Sequence, residues 1–341
     1  MEVCEAQIKN QREIWVDNVK VIACVLVVLG HFFQSMTQSE ILPANDIYNW
    51  FNQTIYYFHV PLFFICSGYL YQKRNVVIDL HSWGKNVLKK LLALGIPYFT
   101  FSFVTWILKT LFSSSVNNEI GGLVETLFFY PTAPYWYLYA LFLLFLITPI
   151  FKNVPMTVGG IFLALSFKIV EVYGGYTVQA ISYILSNEIW FAIGMCLSVL
   201  EFKKYLTGKG LIISIIIGAI FLFLSIVVYV EGIEHGLVRF LLGLLACCSV
   251  IMTIGIIYKD EKQSVIFGII AKYTMPVFLM HTLFAAPLRT VLLKLNVQNA
   301  VVHVVLGIVI SFVGPIMAAI IMKKSKWLEF FLYPGKFIKI K

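Results

Sequence analysis

Long apolar stretches separated by short polar breaks set the pattern of this chain. Ten of them reach or approach spanning length, near 18–37, 53–72, 87–109, 134–151, 155–171, 180–200, 210–230, 236–258, 265–291 and 299–322. A helix rises about 1.5 Å per residue, so about 20 residues cross a hydrocarbon core of about 30 Å. The fourth and fifth stretches, parted by KNVP at 152–155, are the shortest. The pattern predicts an all-α integral membrane protein, a bundle of about ten transmembrane helices. It predicts one domain over residues 1–341 and no separate soluble domain, since the longest breaks, around 38–52 and 110–133, are short. No internal repeat or low-complexity tract is visible.

Composition supports the bilayer as solvent. Hydrophobic residues make up 60% of the chain and charged residues 13%, with mean hydropathy +0.86. Soluble folds of this size keep a larger charged exterior.

The cations test the helix count. With the N-terminus placed in the cytoplasm, 21 of the 26 Lys and Arg residues fall on the cytoplasmic side. Only Lys109, Lys168, Arg239, Arg289 and Lys294 fall outside. Lys and Arg accumulate in short cytoplasmic loops, so this split predicts cytoplasmic N- and C-termini and residence in a cell membrane. The net charge of +9 is thus a topology signal. It is dealt out loop by loop rather than gathered on one face, which excludes a nucleic-acid partner. The polar start, MEVCEAQIKNQREI, predicts no cleavable signal peptide.

Of six cysteines, five lie in spans, without metal-ligand spacing or a disulfide framework. They read as small core residues, with Cys247 and Cys248 on different helix faces, and no metal is expected.

The first apolar run carries the chemistry. DNVKVIACVLVVLGH, at 17–31, places three ionisable groups in a spanning helix. At about 100° per residue, Lys20 and His31 are separated by about 20° beyond three full turns, and Asp17 falls about 40° from His31. The three form one stripe. A rise of about 16 Å from Lys20 puts His31 near the bilayer midplane. Ionisable groups inside a span face the bundle interior and mark functional sites. A neutral imidazole there is suited to take a proton from a hydroxyl. The plainer reading is a His that hydrogen-bonds a neighbouring helix. Asp17 either orients Lys20 or caps the helix start.

The stretch IWVDNVKVIACVLVVLGHF resembles the first helix of the type 3 membrane acyltransferases, which include O-antigen and exopolysaccharide acetylases. Lys20 and His31 fit that family's spacing of a basic residue, ten residues, then His. Lys stands where Arg is usual, as in the fucose acetylase-like branch, and gives up the bidentate fork. YYFHVPLFFICSGYLY (56–71) and KNVLKKLLALGIPYF (85–99) are similar to the family's second helix and its basic approach to the third. YWYLYALFLL (135–144) and VFLMHTLF (277–284) match later segments more weakly.

The resemblance implies acyl transfer from cytoplasmic acyl-CoA, typically acetyl-CoA, to a hydroxyl of a surface or exported polysaccharide or lipid-linked sugar. It implies that His31 is catalytic, as general base or through an acyl-His intermediate. It also implies that Lys20, with Lys85, Lys89 and Lys90, lies on the acyl-CoA side, where lysines serve phosphates as point charges. A different class stays open, a transporter or flippase for a lipid-linked sugar, with the buried charges lining its path. Such a protein would be expected to show repeats and paired broken helices.

Four further residues are candidates for substrate contact. His59, just before Pro61, either binds acceptor or tunes the helix. His281 lies about 13 Å past Lys272 at helical rise, a depth like that of His31. Glu188 is a carboxylate well inside the sixth span, and either serves the site or pairs with Arg239 or Lys168. Trp136 stands with Tyr135, Tyr137 and Tyr139 where the fourth span meets the outside, and either stacks on sugar or belongs to an interfacial aromatic belt. Ser67 and Gly68 permit close helix packing.

Overall fold

The computed structural model describes residues 12–43, 45–74, 77–113, 121–176, 178–259 and 262–338. Cys4, Lys9, Lys339 and Lys341 lie outside the described residues. Among those described, the secondary structure is helical, without strands. The helices are α1 (Ile14–Gln38), α2 (Asp46–Tyr56), α3 (His59–Arg74), α4 (Leu80–Lys90), α5 (Ile96–Leu111), α6 (Trp136–Ile147) and α7 (Val154–Tyr173). They continue as α8 (Gln179–Val199), α9 (Gly208–Val230), α10 (Gly236–Ile257), α11 (Val265–Lys294), α12 (Ala300–Met322) and α13 (Lys326–Leu332).

Among the described residues, eight helices are long and apolar enough to cross a membrane: α1, the joined α4–α5, and α7 through α12. The chain is therefore a multi-pass membrane protein. The second and fourth expected spans depart from a single long helix, each for a local reason. The second is built as α2 and α3, parted at Tyr57–Phe58. Pro61 has no N–H to give, and its ring crowds the carbonyl four residues back. The amides of Tyr57 and Phe58 turn to the carbonyls of Thr54 and Ile55, at 3.3 and 3.2 Å. The fourth, α6, has only 12 residues, and the chain runs irregularly through Pro149 before α7. Between α4 and α5 the segment Leu91–Gly95 forms a π turn just before Pro97, where a helical donor is missing. Asn153 starts α7 by accepting from the Met156 amide at 2.9 Å.

The chain forms two compact units. One holds the residues before 24, 53–84 and 147–271; the other holds 24–52, 85–146 and 272 onward.

In the first unit α3 crosses α8 through two glycines. A Cβ on Gly68 would collide with the Phe191 carbonyl, and one on Gly194 with the Ile65 carbonyl. Absent side chains let the two backbones touch, which is how helices associate where lipid removes the hydrophobic drive. The irregular segment after α6 is held by α3. The Tyr71 hydroxyl donates to the Thr148 carbonyl at 3.1 Å, and Gln72 exchanges two hydrogen bonds with the Phe151 backbone, at 2.8 and 3.0 Å. At the start of α1, Trp15 packs edge-on against Tyr69 and Phe202 at 4.8 and 4.9 Å. Its indole donates to the buried Glu13 at 2.9 Å, and Glu13 also pairs with Lys73 and with Lys203.

In the second unit the later part of α1 buries Phe32 and Met36 with Leu42 against Val304 and Ile308 of α12. Gly307 leaves the space that the Phe32 ring occupies.

Candidate functional site

Two histidines meet in the second unit. The His31 ring of α1 lies 5.5 Å from the His281 ring of α11, tilted by 33°. Three relations tie these helices in one register. The Cys24 thiol donates to the Thr274 carbonyl at 3.7 Å, His31 faces His281, and Arg289 donates to the Ser35 carbonyl at 3.1 Å and to its hydroxyl. Partners advance together along both helices, so α1 and α11 run parallel.

Two prolines, Pro276 and Pro287, bracket His281 within α11. Each removes a helical donor, leaving local carbonyls to be met by side chains. His281 is only 1% exposed. Its Nδ1 lies 3.0 Å from the carbonyls of Val277 and Phe278. Carbonyls only accept, so Nδ1 carries the hydrogen and Nε2 keeps a lone pair. That Nε2 is buried and has no hydrogen-bond partner among the described residues. His31 is half-buried and likewise makes no hydrogen bond among them.

The wall behind His281 corrects one expectation. Tyr135 and Tyr137 are not part of an interfacial belt. Tyr135 is fully buried, donates to the Leu279 carbonyl at 3.1 Å and shares a hydrogen bond with the Thr105 hydroxyl at 2.8 Å. Tyr137 packs edge-on against Phe278 at 5.6 Å. Both brace α11 within three residues of the imidazole, at Leu279 and Phe278. Tyr139 is half-buried and donates to the Phe128 carbonyl at 3.3 Å, and Trp136 is half-buried at the first turn of α6.

The lysines of this unit divide. Lys85 and Lys89 form no ion pair among the described residues. Lys90 sits over the Phe145 ring at 3.9 Å, a cation–π contact. The turn Leu91–Gly95 packs against Pro334–Lys336, so the C-terminal segment stands beside these lysines. There Lys323 lies 4.8 Å from the Tyr273 ring and 5.7 Å from that of Tyr333, and Lys336 pairs with Glu329 at 2.6 Å. Burial, with Tyr273 and Glu329 nearby, pushes the Tyr333 phenol up to about 12, so it stays neutral.

In the first unit, Asp17 pairs with Arg12. Lys20 is half-buried and has no ion pair among the described residues. Glu188 is buried, and its partner is the Thr148 hydroxyl, at 3.0 and 2.9 Å from its two oxygens. The expected pairing with Arg239 or Lys168 does not form, because Lys168 takes Glu171 at 2.7 Å and Arg239 lies 3.9 Å from Glu234. His59 is buried, with Nδ1 2.6 Å from the Ile55 carbonyl and its ring edge-on to Tyr56. It satisfies backbone at the break between α2 and α3. The five described cysteines are free thiols, with Cys247 buried and Cys248 exposed.

Sequence reading missed Glu13, Tyr135 and Arg289 as organising residues. Glu13 precedes the apolar run and belongs by sequence to the polar start, so nothing there signals its indole and lysine partners. Arg289 reads by charge pattern as a topological cation; its place inside an apolar run is the signal that it needs a buried acceptor.

A multi-pass membrane protein with two facing imidazoles and uncompensated lysines is the class these features define. The family model for an acyltransferase domain matches residues 13–320, and the chain belongs to the type 3 membrane acyltransferase family. It is similar to the Escherichia coli (strain K12) inner membrane protein YcfT, 22% identical over 313 residues, covering 80% of this chain and 79% of that protein. It is also similar to nodulation protein NolL of Mesorhizobium japonicum, 30% identical over 144 residues. That match covers 40% of this chain and spans only 35% of NolL. No solved structure gives a significant match.

Proposed function

We propose that this membrane acyltransferase moves an acetyl group from cytoplasmic acetyl-CoA to a hydroxyl of a surface or exported polysaccharide or lipid-linked sugar, with both termini in the cytoplasm. The observation that carries the reading is the half-buried His31 ring, with no hydrogen bond among the described residues, beside the buried His281. His31 takes the proton of the acceptor hydroxyl as its oxygen attacks the thioester carbonyl. The new O–C bond forms, the C–S bond breaks, and the proton passes to the departing CoA thiolate. Lys20, Lys85 and Lys89 are cations without ion partners among the described residues, which suits them to the phosphates of the donor. Family membership supports acyl transfer over passage of a lipid-linked sugar.

The test compares ester content of surface polysaccharides from cells lacking the gene, cells restored with it, and cells carrying His31→Ala. Esters present with the wild type and absent with the variant, at equal membrane levels of folded protein, are expected. Wild-type ester content in the variant would sink the mechanism.

A further inference from the structure

We infer that His281 is the positioning partner of His31: its Nε2 receives the N–H of the His31 imidazolium that forms when His31 takes the acceptor's proton. The inference rests on the acyl-transfer reading above.

Three observations lead there. The tautomer of His281 is fixed, since Nδ1 is held by two carbonyls and the lone pair is therefore on Nε2. That lone pair is buried and unmatched among the described residues, a standing cost that calls for a donor. The neighbouring groups have committed their hydrogens elsewhere. The Tyr135 hydroxyl donates to Leu279 and the Cys24 thiol to Thr274. His31, 5.5 Å away between ring centroids, is a neighbour whose ring makes no hydrogen bond among the described residues. A rotation of its ring or one bridging water closes the gap.

The arrangement also explains why the partner is an imidazole. In a soluble triad a carboxylate orients the base and steadies its positive form. A carboxylate at this depth would be costly to keep charged and would be driven to take a proton, losing its role as acceptor. A neutral His281 supplies the same acceptor with no charge at rest. The proton stays on His31 and leaves with the thiol, so His281 never ionises.

The test uses the full-length protein in membranes that supply the acceptor, with acetyl-CoA as the probe donor and release of free thiol as the readout. Replacing His281 by Leu should lower kcat about 100-fold while KM for acetyl-CoA stays within about twofold. His281→Gln places an amide oxygen where Nε2 stood and should recover most of that loss. His281→Asn, whose oxygen falls on the Nδ1 side, should not. If His281→Leu fails to fold, the Gln and Asn variants carry the comparison. Equal activity of Gln and Asn, or wild-type kcat in the Leu variant, would overturn the inference. His31→Ala is run alongside. If it keeps wild-type turnover, the acyl-transfer reading falls; if it is inactive while the His281 variants are intact, only the role of His281 falls.

Discussion

Arg289 of α11 donates to both the carbonyl and the hydroxyl of Ser35, one turn beyond His31 on α1. Ser35 lies near the C-terminal end of α1, where a cation is favoured, and its carbonyl also accepts from the Ser39 amide at 3.2 Å. A side chain of one helix thus ties the end of the other. It also fixes the register that sets His31 against His281.

Replacing Arg289 by Ala should cost about 1–3 kcal/mol by leaving the Ser35 hydroxyl unmet, and should lower activity through loss of register. Thermal unfolding of the detergent-solubilised protein measures the first effect and thiol release from acetyl-CoA the second. Arg289→Lys should keep the charge and recover only part of each, because its compact, more strongly hydrated ammonium does not reproduce the guanidinium contact.

Lys20→Ala should raise the apparent KM for acetyl-CoA about tenfold with a smaller change in kcat, as expected when a charged contact to the donor is removed. Lys20→Arg should bind donor at least as well as the wild type. An unchanged KM in the Ala variant would remove Lys20 from the donor site.

Gly68→Ala and Gly194→Ala should each destabilise the protein by about 1–3 kcal/mol or more, because the new methyl meets backbone rather than a side chain that could swing away. Combining them should not rescue either, since both methyls push α3 and α8 apart. Tm in detergent reports this directly.

Thr148→Val should destabilise by about 1–3 kcal/mol, because Glu188 then keeps no described donor for its buried carboxylate. Adding Glu188→Met should recover much of that loss, since removing both partners leaves no orphan. A thermal-unfolding double-mutant cycle measures the coupling. Additive losses would show that Thr148 is not what satisfies Glu188.

The fold was legible where apolar length decided it. Eight of the ten expected stretches form long apolar helices, among them α1, whose stripe of Asp17, Lys20 and His31 follows from spacing alone. The break between α2 and α3 and the short α6 were not legible as interruptions. Pro61 and Pro149 were visible, but whether a proline bends or splits a span depends on the side chains that meet the freed carbonyls. The site was half legible. The depth of His281 could be counted from Lys272, yet facing His31 required knowing that two helices separated by most of the chain are neighbours. The partner of Glu188 was hidden for a related reason, since Thr148 lies in the irregular segment after α6, 40 residues away in the chain.

The pairing of α1 with α11 also has a consequence for how the protein is made. The His31 segment leaves the ribosome some 250 residues ahead of its partner stretch Thr274–Arg289. Domains are synthesised N-terminus first, so α1 enters the membrane well before its polar side can be covered by α11. Throughout that interval His31 and Ser35 must be sheltered by something other than their final neighbours. The arrival of α11 is therefore the step that covers His31 and Ser35 as the protein assembles.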